Sequence, residues 1–277
     1  MKIGNREFDF MKQAYIMGIL NVTPDSFSDG GKFNGIDRAL EHAEQMIHEG
    51  ADIIDIGGES TRPGYAVVPA EEEIDRVVPV IKAIKERFDI PISIDTCKGA
   101  VAAAALDAGA DMLNDIWGFQ YDPSMALLAA KRDVPCVLMH NKANSEYNAF
   151  PEDYIAELKA CAEAAISKGV KRENIILDPG IGFGKTYEQN LIALAHLEEL
   201  NALGYPVLLG TSRKSVIGIT LDLPSDQRME GTIATTVIGF MKGCSLFRVH
   251  DVKENRRALE MSRAVMAYAK ADEKEER

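Results

Sequence analysis

The chain has 277 residues, 46% hydrophobic and 27% charged, which suits the roughly 250 residues of one α/β barrel and excludes a disordered composition. Its 43 acidic and 31 basic side chains leave a formal charge of −12, which disfavours a general nucleic-acid or anionic-membrane surface and requires any anionic substrate to meet a local basic pocket. No run reaches the roughly 18 apolar residues of a membrane span, and Cys97, Cys136, Cys161 and Cys244 form no Cys-x-x-Cys pair, so a cytoplasmic enzyme with reduced thiols is expected rather than a disulfide framework or zinc site.

Short apolar runs alternate with amphipathic stretches along the chain. The first, residues 15–20, is followed by Ile36, Ala39, Leu40, Ala43, Met46 and Ile47 at helical spacing, with Gly50 where that helix should stop. The second, 53–56, precedes Ile74, Val77, Val78, Ile81 and Ile84, a helix that Pro79 is expected to kink or restart. Runs at 92–94, 112–114 and 136–139 come next, and the helix after the last of these can begin with Pro151 in its first turn. The final runs are 175–177, 207–209 and 245–249; Asp251 and Glu254 then offer a capping-box-like start to the last helix, whose charged end, 271–277, is expected to fray. Strands joined by helical crossovers must run parallel, so eight βα units predict a (β/α)₈ TIM barrel, one domain over 1–277. Periodicity counts units without showing closure, which leaves an open doubly wound sheet as the alternative.

In such barrels chemistry sits on the loops after the strands, and here polar residues cluster on that side alone. The first strand leads into Asn21-Val22-Thr23-Pro24-Asp25-Ser26-Phe27-Ser28-Asp29-Gly30-Gly31, the second into Gly57-Gly58-Glu59-Ser60-Thr61-Arg62-Pro63-Gly64. The later ones end in Asp95, Asn114-Asp115, His140-Asn141, Asp178-Pro179-Gly180-Ile181-Gly182-Phe183-Gly184-Lys185, Ser212-Arg213-Lys214-Ser215 and Arg248-Val249-His250. One strand-end Asp or Asn reads equally well as a helix cap or turn former. Asp95, Asn114, Asp178 and Lys214 together predict a convergent polar site, because buried donors and acceptors left unpaired cost about 1 to 3 kcal/mol each. The glycine run is neither a Walker A loop, since Pro179 stands where glycine is required, nor a Gly-x-Gly-x-x-Gly fingerprint. His42, His48 and His196 lie in helical stretches and read as surface or packing residues, whereas His250 reads as functional; no pair has zinc-ligand spacing.

The segments 18–31 and 55–64 resemble the two long signatures of dihydropteroate synthases, and Ser93-Ile94-Asp95-Thr96, Asn114-Asp115, 178–183, Ser212-Arg213-Lys214-Ser215 and Arg248-Val249-His250-Asp251 extend the resemblance over nearly the whole chain. The resemblance implies condensation of a dihydropterin diphosphate with 4-aminobenzoate in folate synthesis. It implies that Asp95, Asn114, Asp178 and Lys214 hold the pterin with Arg248 against its face, and that Asn21, Arg248 and His250 lie by the diphosphate with Mg²⁺. Asp95, Lys214, Arg248 and His250 are the expected catalytic residues. Thr61, Arg62, Pro63, Phe27, Phe183 and Ser215 would build the aminobenzoate seat, and a homodimer is implied. Residues 141–146 depart from the family's pattern after His140, which puts the fifth loop's contacts in doubt. The aniline is itself nucleophilic, so departure of diphosphate before its attack is expected, without covalent catalysis. Two other readings compete: the methyltetrahydrofolate-binding barrel of corrinoid methyltransferases, and a Schiff-base aldolase using Lys214.

Overall fold

The computed structural model describes residues 1–22, 31–59 and 68–275, the side chains of 31–34 and 269–275 excepted. Each apolar run becomes a strand: β1 (Tyr15–Asn21), β2 (Ile53–Gly57), β3 (Ile92–Asp95), β4 (Met112–Asp115), β5 (Cys136–Met139), β6 (Ile175–Asp178), β7 (Leu208–Leu209) and β8 (Leu246–Val249). Most extend to a polar tip because backbone pairing is indifferent to the side chain: Asp95 pairs in register with Gly57 and Asn114, and Asp178 with Met139. All pairs are parallel, in the order β6-β5-β4-β3-β2-β1-β8-β7. A bridge between Leu177 and Val207, with the Leu177 N–H donating to the Pro206 carbonyl at 2.9 Å, joins the two ends. The sheet therefore closes as a (β/α)₈ barrel, and the open-sheet alternative fails.

Alternation along the strands divides the side chains between two cores. Ile16, Ile54, Ile56, Leu113, Leu138, Leu177 and Phe247 face outward beneath the helices. Met17, Ile53, Met112, Val137, Ile176, Leu208 and Leu246 face the axis and form a buried cluster with Ile3, Phe8 and Phe10. Ile3 lies in an N-terminal hairpin, Lys2–Ile3 against Arg6–Glu7, that sequence reading did not anticipate, and Phe8 and Phe10 follow its second strand. The rings of Phe8 and Phe10 pack edge-on against Tyr15 at 4.8 and 5.2 Å, so the hairpin shuts the end of the barrel where the strands begin.

Ten helices are described: α1 (Gly31–His48), α2 (Ala70–Arg87), α3 (Gly99–Asp107), α4 (Ser124–Arg132), α5 (Glu152–Ser167), α6 (Tyr187–Ala195), α7 (Leu197–Asn201), α8 (Ser215–Leu221), α9 (Met229–Met241) and α10 (Val252–Glu275). The first ends just before Gly50, whose φ of +99° a side chain would resist. The second helix passes through Pro79 without a restart, burial of Val77, Val80, Ile81 and Ile84 offsetting the missing N–H. Other local expectations need correction. Pro151 occupies the cap position, one residue before the first turn of α5. Asp251 does not form the expected capping box, since Arg213 engages its carboxylate, and α10 continues through residues expected to fray. Among the described residues no helix is long and apolar enough to cross a membrane.

Candidate active site

Two residues beyond the apolar floor, four strands exchange an inward apolar residue for a polar one: Ile53 gives way to Asp55, Met112 to Asn114, Ile176 to Asp178 and Leu246 to Arg248. Strand β3 adds Ser93 and Asp95, placed beside Asp55 and Gly57 by register. Side chains far apart in sequence thus meet at one mouth. Arg248 Nε donates to Asp55 Oδ2 at 2.6 Å and its Nη2 to Asp95 Oδ2 at 2.7 Å. Asn114 Nδ2 donates to the same Asp55 oxygen at 3.1 Å. Asp178 Oδ1 accepts the Gly180 N–H at 2.7 Å, and its other oxygen and the Arg248 Cβ flank Gly210, 3.8 and 3.9 Å from where a side chain there would begin. Lys214, at the start of α8, donates to the Ile181 carbonyl and lies 4.8 Å over the Phe183 ring.

Burial governs the electrostatics. It pushes the Asp95 carboxyl above the usual carboxylate range, opposed by the Arg248 guanidinium, and raises Asp178 against the pull of Lys214. Burial also brings Lys214 down to about 8, with Asp178 opposing and Arg248 reinforcing. Arg213, next to Lys214 in the chain, turns away to Asp251, which leaves Arg248 as the cation that acts on Lys214. Arg248 loses by burial but is held above its ordinary value by Asp55 and Asp95. Asp55 Oδ1, Asp95 Oδ1 and Ser93 Oγ are buried without a hydrogen-bond partner among the described residues. Three such orphans in one mouth are what an incoming polar ligand with N–H groups would satisfy.

The remaining expected residues lie around the rim. His250 Nδ1 is 2.9 Å from Ser212 Oγ, which also accepts the His250 N–H at 3.1 Å. Ser215 is exposed at the start of α8, and Phe183 is half-buried on the glycine-rich turn after β6. Thr61, Arg62, Pro63 and Phe27 lie outside the described residues. Asn21 sits exposed at the tip of β1. Its Oδ1 and Asp95 Oδ2 are 3.9 and 3.7 Å from the position a Cβ on Gly57 would take, so the bare glycine preserves an oxygen-lined gap. Oxygen donors of this kind fit a hard cation that keeps water and substrate oxygens as its other ligands.

Two features escaped sequence reading. Asp55 lies inside the apolar run 53–56 rather than after it, and a carboxylate there, in phase with inward Ile53, was the available signal. His140 was passed over as a strand end; it is buried between Glu157 and Lys185, partners 17 and 45 residues away that no local spacing links.

Known proteins resemble this chain over nearly its whole length. Residues 17–250 match the family model described as pterin binding enzyme. A dihydropteroate synthase of Clostridium beijerinckii is 64% identical over 263 residues, 95% of this chain and 98% of that protein. The crystal structure of a dihydropteroate synthase from Clostridium difficile, in the presence of pteroic acid, superimposes with a TM-score of 0.91 at 54% identity, covering 94% of this chain and 99% of that one. The Xanthomonas albilineans dihydropteroate synthase with 4-aminobenzoic acid gives 0.88 at 42% identity, covering 93% and 94%. Similarity of this extent favours neither the corrinoid methyltransferase barrel nor the aldolase.

Proposed function

The chain belongs to the pterin binding enzyme family, as a transferase with dihydropteroate synthase activity, and on that premise we propose that its barrel mouth joins (7,8-dihydropterin-6-yl)methyl diphosphate to 4-aminobenzoate. The observation that carries this reading is the meeting of Asp55, Asp95, Asn114, Asp178 and Arg248 in one buried polar layer. A pterin's aminopyrimidinone edge offers adjacent N–H donors that the Asp178 carboxylate can accept. Lys214 spends one N–H on Ile181 and has two left for the ring's oxygen and nitrogen acceptors. The planar guanidinium of Arg248 can lie against the heterocycle, as an ammonium could not. The aminobenzoate would sit between Phe183, Ser215 and the second loop's Thr61 and Arg62.

In the reaction the methylene carbon–oxygen bond breaks, and its electron pair leaves with the diphosphate, stabilised by Arg248 and His250. Asp95, its charge sustained by Arg248, supports the cation that the electron-rich dihydropterin delocalises. The aniline nitrogen then attacks the methylene and loses a proton, giving dihydropteroate. Asn21 would hold magnesium on the protein side, where the ion would supply charge neutralisation for the diphosphate. Incubation with Mg²⁺ and both substrates should yield dihydropteroate and diphosphate; their absence would sink the reading. Pterin diphosphate alone should still release diphosphate, and an intact ester would instead assign a concerted displacement.

The same reading includes work as a homodimer in the cytoplasm. Helix α9 packs on both α8 and α10, and Ile219, Leu221, Ile238, Met241, Met261 and Val265 are exposed on these three helices, the composition expected of such an interface. Sedimentation of the purified chain tests it: a monomer at micromolar concentration counts against it.

A further inference from the structure

The turn between β6 and α6 carries Phe183 and is pressed against the chain that leaves β5. Gly180, Gly182 and Gly184 have φ of +66°, +87° and +55°. A Cβ on Gly180 would fall 1.9 Å from the His140 carbonyl oxygen, and one on Gly184 2.8 Å from that of Lys142. Carbonyls in so close a turn are shielded from water and must find donors within the protein. The Ile181 carbonyl takes Lys214, and that of Gly184 takes the Tyr147 hydroxyl at 2.6 Å. The carbonyls of Gly180 and Phe183 both take one group, the Lys185 ammonium, each at 3.2 Å.

That ammonium has a third partner, His140 Nδ1 at 2.9 Å. On the far side of the ring, Nε2 is 2.9 Å from Glu157 Oε2, while the other Glu157 oxygen accepts from Lys142 at 2.8 Å. A carboxylate can only accept, so Nε2 holds the imidazole proton and Nδ1 offers its lone pair to Lys185. Burial, and next Lys185 itself, pull His140 down to about 4, which keeps the ring a neutral acceptor. Beyond Lys185 the chain is fastened again, since Thr186 and Gln189 form a reciprocal capping box at the start of α6.

We propose that Glu157, His140 and Lys185 form a positioning chain that sets the turn bearing Phe183, and through it the aminobenzoate side of the site. Lys185 is a positioning residue: it ties the first and fourth residues of the turn to a ring whose orientation is fixed from the surface by Glu157. The departure from the family's pattern at 141–146 lies beside this chain, where Lys142 joins Glu157. Most of the pterin side is held by side chains on the strands, Asp95, Asn114, Asp178 and Arg248, and it meets the turn only where Asp178 accepts from Gly180 and Lys214 donates to Ile181. This inference rests on the reading of Phe183 as part of the aminobenzoate seat.

Steady-state kinetics with both substrates, together with calorimetric binding of 6-hydroxymethylpterin, separates the two sides. Lys185→Met should raise KM for 4-aminobenzoate by roughly tenfold, leave kcat within about threefold and shift pterin affinity by less than about threefold. Lys185→Arg, which retains charged donors, should recover most of that KM. Glu157→Ala, at a partly exposed position, should raise the same KM by about threefold, and it decides the matter if Lys185→Met fails to fold. An unchanged aminobenzoate KM, or equal weakening of both substrates, overturns the proposal. A wild-type protein that forms no dihydropteroate would instead sink the underlying reading, whereas normal wild-type turnover without the split removes only the positioning chain.

Discussion

The floor and the mouth of the barrel are built from the same strands in the same inward phase, yet they do opposite work. Ile53 and Asp55, Met112 and Asn114, Ile176 and Asp178, and Leu246 and Arg248 are pairs only two residues apart, roughly 7 Å along a strand. The lower members bury apolar surface against one another and against the hairpin's Phe8 and Phe10. The upper members bury polar and charged groups, and Asp55 Oδ1 with the neighbouring Ser93 Oγ and Asp95 Oδ1 finds no partner among the described residues. The floor stabilises the fold and the mouth spends part of that stability on a preorganised polar site, so damage to each should read out differently.

The largest effect should come from the floor. Phe8→Ala removes a ring from the sealed cluster and should lower stability by about 3 to 5 kcal/mol, measured by calorimetry, while kcat well below the new melting temperature stays near wild type. A large fall in kcat there would erase the distinction between the two layers. Next is Arg248→Ala in the mouth, which should reduce turnover by roughly a hundred- to a thousandfold with a smaller loss of pterin affinity, because its charge matters most as diphosphate leaves. Equal losses in both would contradict that role. Asp178→Asn should weaken pterin binding by about 1.5 to 3 kcal/mol in calorimetry, and wild-type affinity would remove it from the pterin seat.

The smallest effect is one of pH. Lys214 is a charged donor with three N–H groups only when protonated, and burial brings it down to about 8, so pterin affinity should fall above that pH by at most about tenfold per unit and stay flat in Lys214→Arg. Stability moves the other way. From about 8 up to the ordinary lysine range the unfolded chain holds this proton and the folded one does not, so this residue's contribution to stability rises with pH there. Thermal melts of wild type minus Lys214→Met should show that rise; a flat difference would mean that Lys214 titrates normally.

Much of this was legible in the chain. The strands could be read because each is a short apolar run between amphipathic segments, and Asp95, Asn114, Asp178, Lys214 and Arg248 because each lies at or just beyond such a run. What escaped depended on distance or on burial. Asp55 lay inside a run rather than after it, and its role appears only when Arg248, 193 residues away, reaches it across the barrel. The hairpin is two residues per strand, too short to leave a period. Pro79 was weighed by its local penalty, which the buried face of its helix outweighs. Asp251 had the spacing of a cap, but Arg213 competes for the same carboxylate.

With the hairpin as a stopper, the described residues leave the barrel open at the mouth and shut at the floor. Asp178 and Asn114 lie down inside it, nearly inaccessible, while Ser215 stands exposed at the lip. On the proposed reading, loading would run as a queue, heterocycle first and benzoate second, and the joined product would back out benzoate end foremost. A molecule lodged at the lip alone would imprison whatever already rests below it.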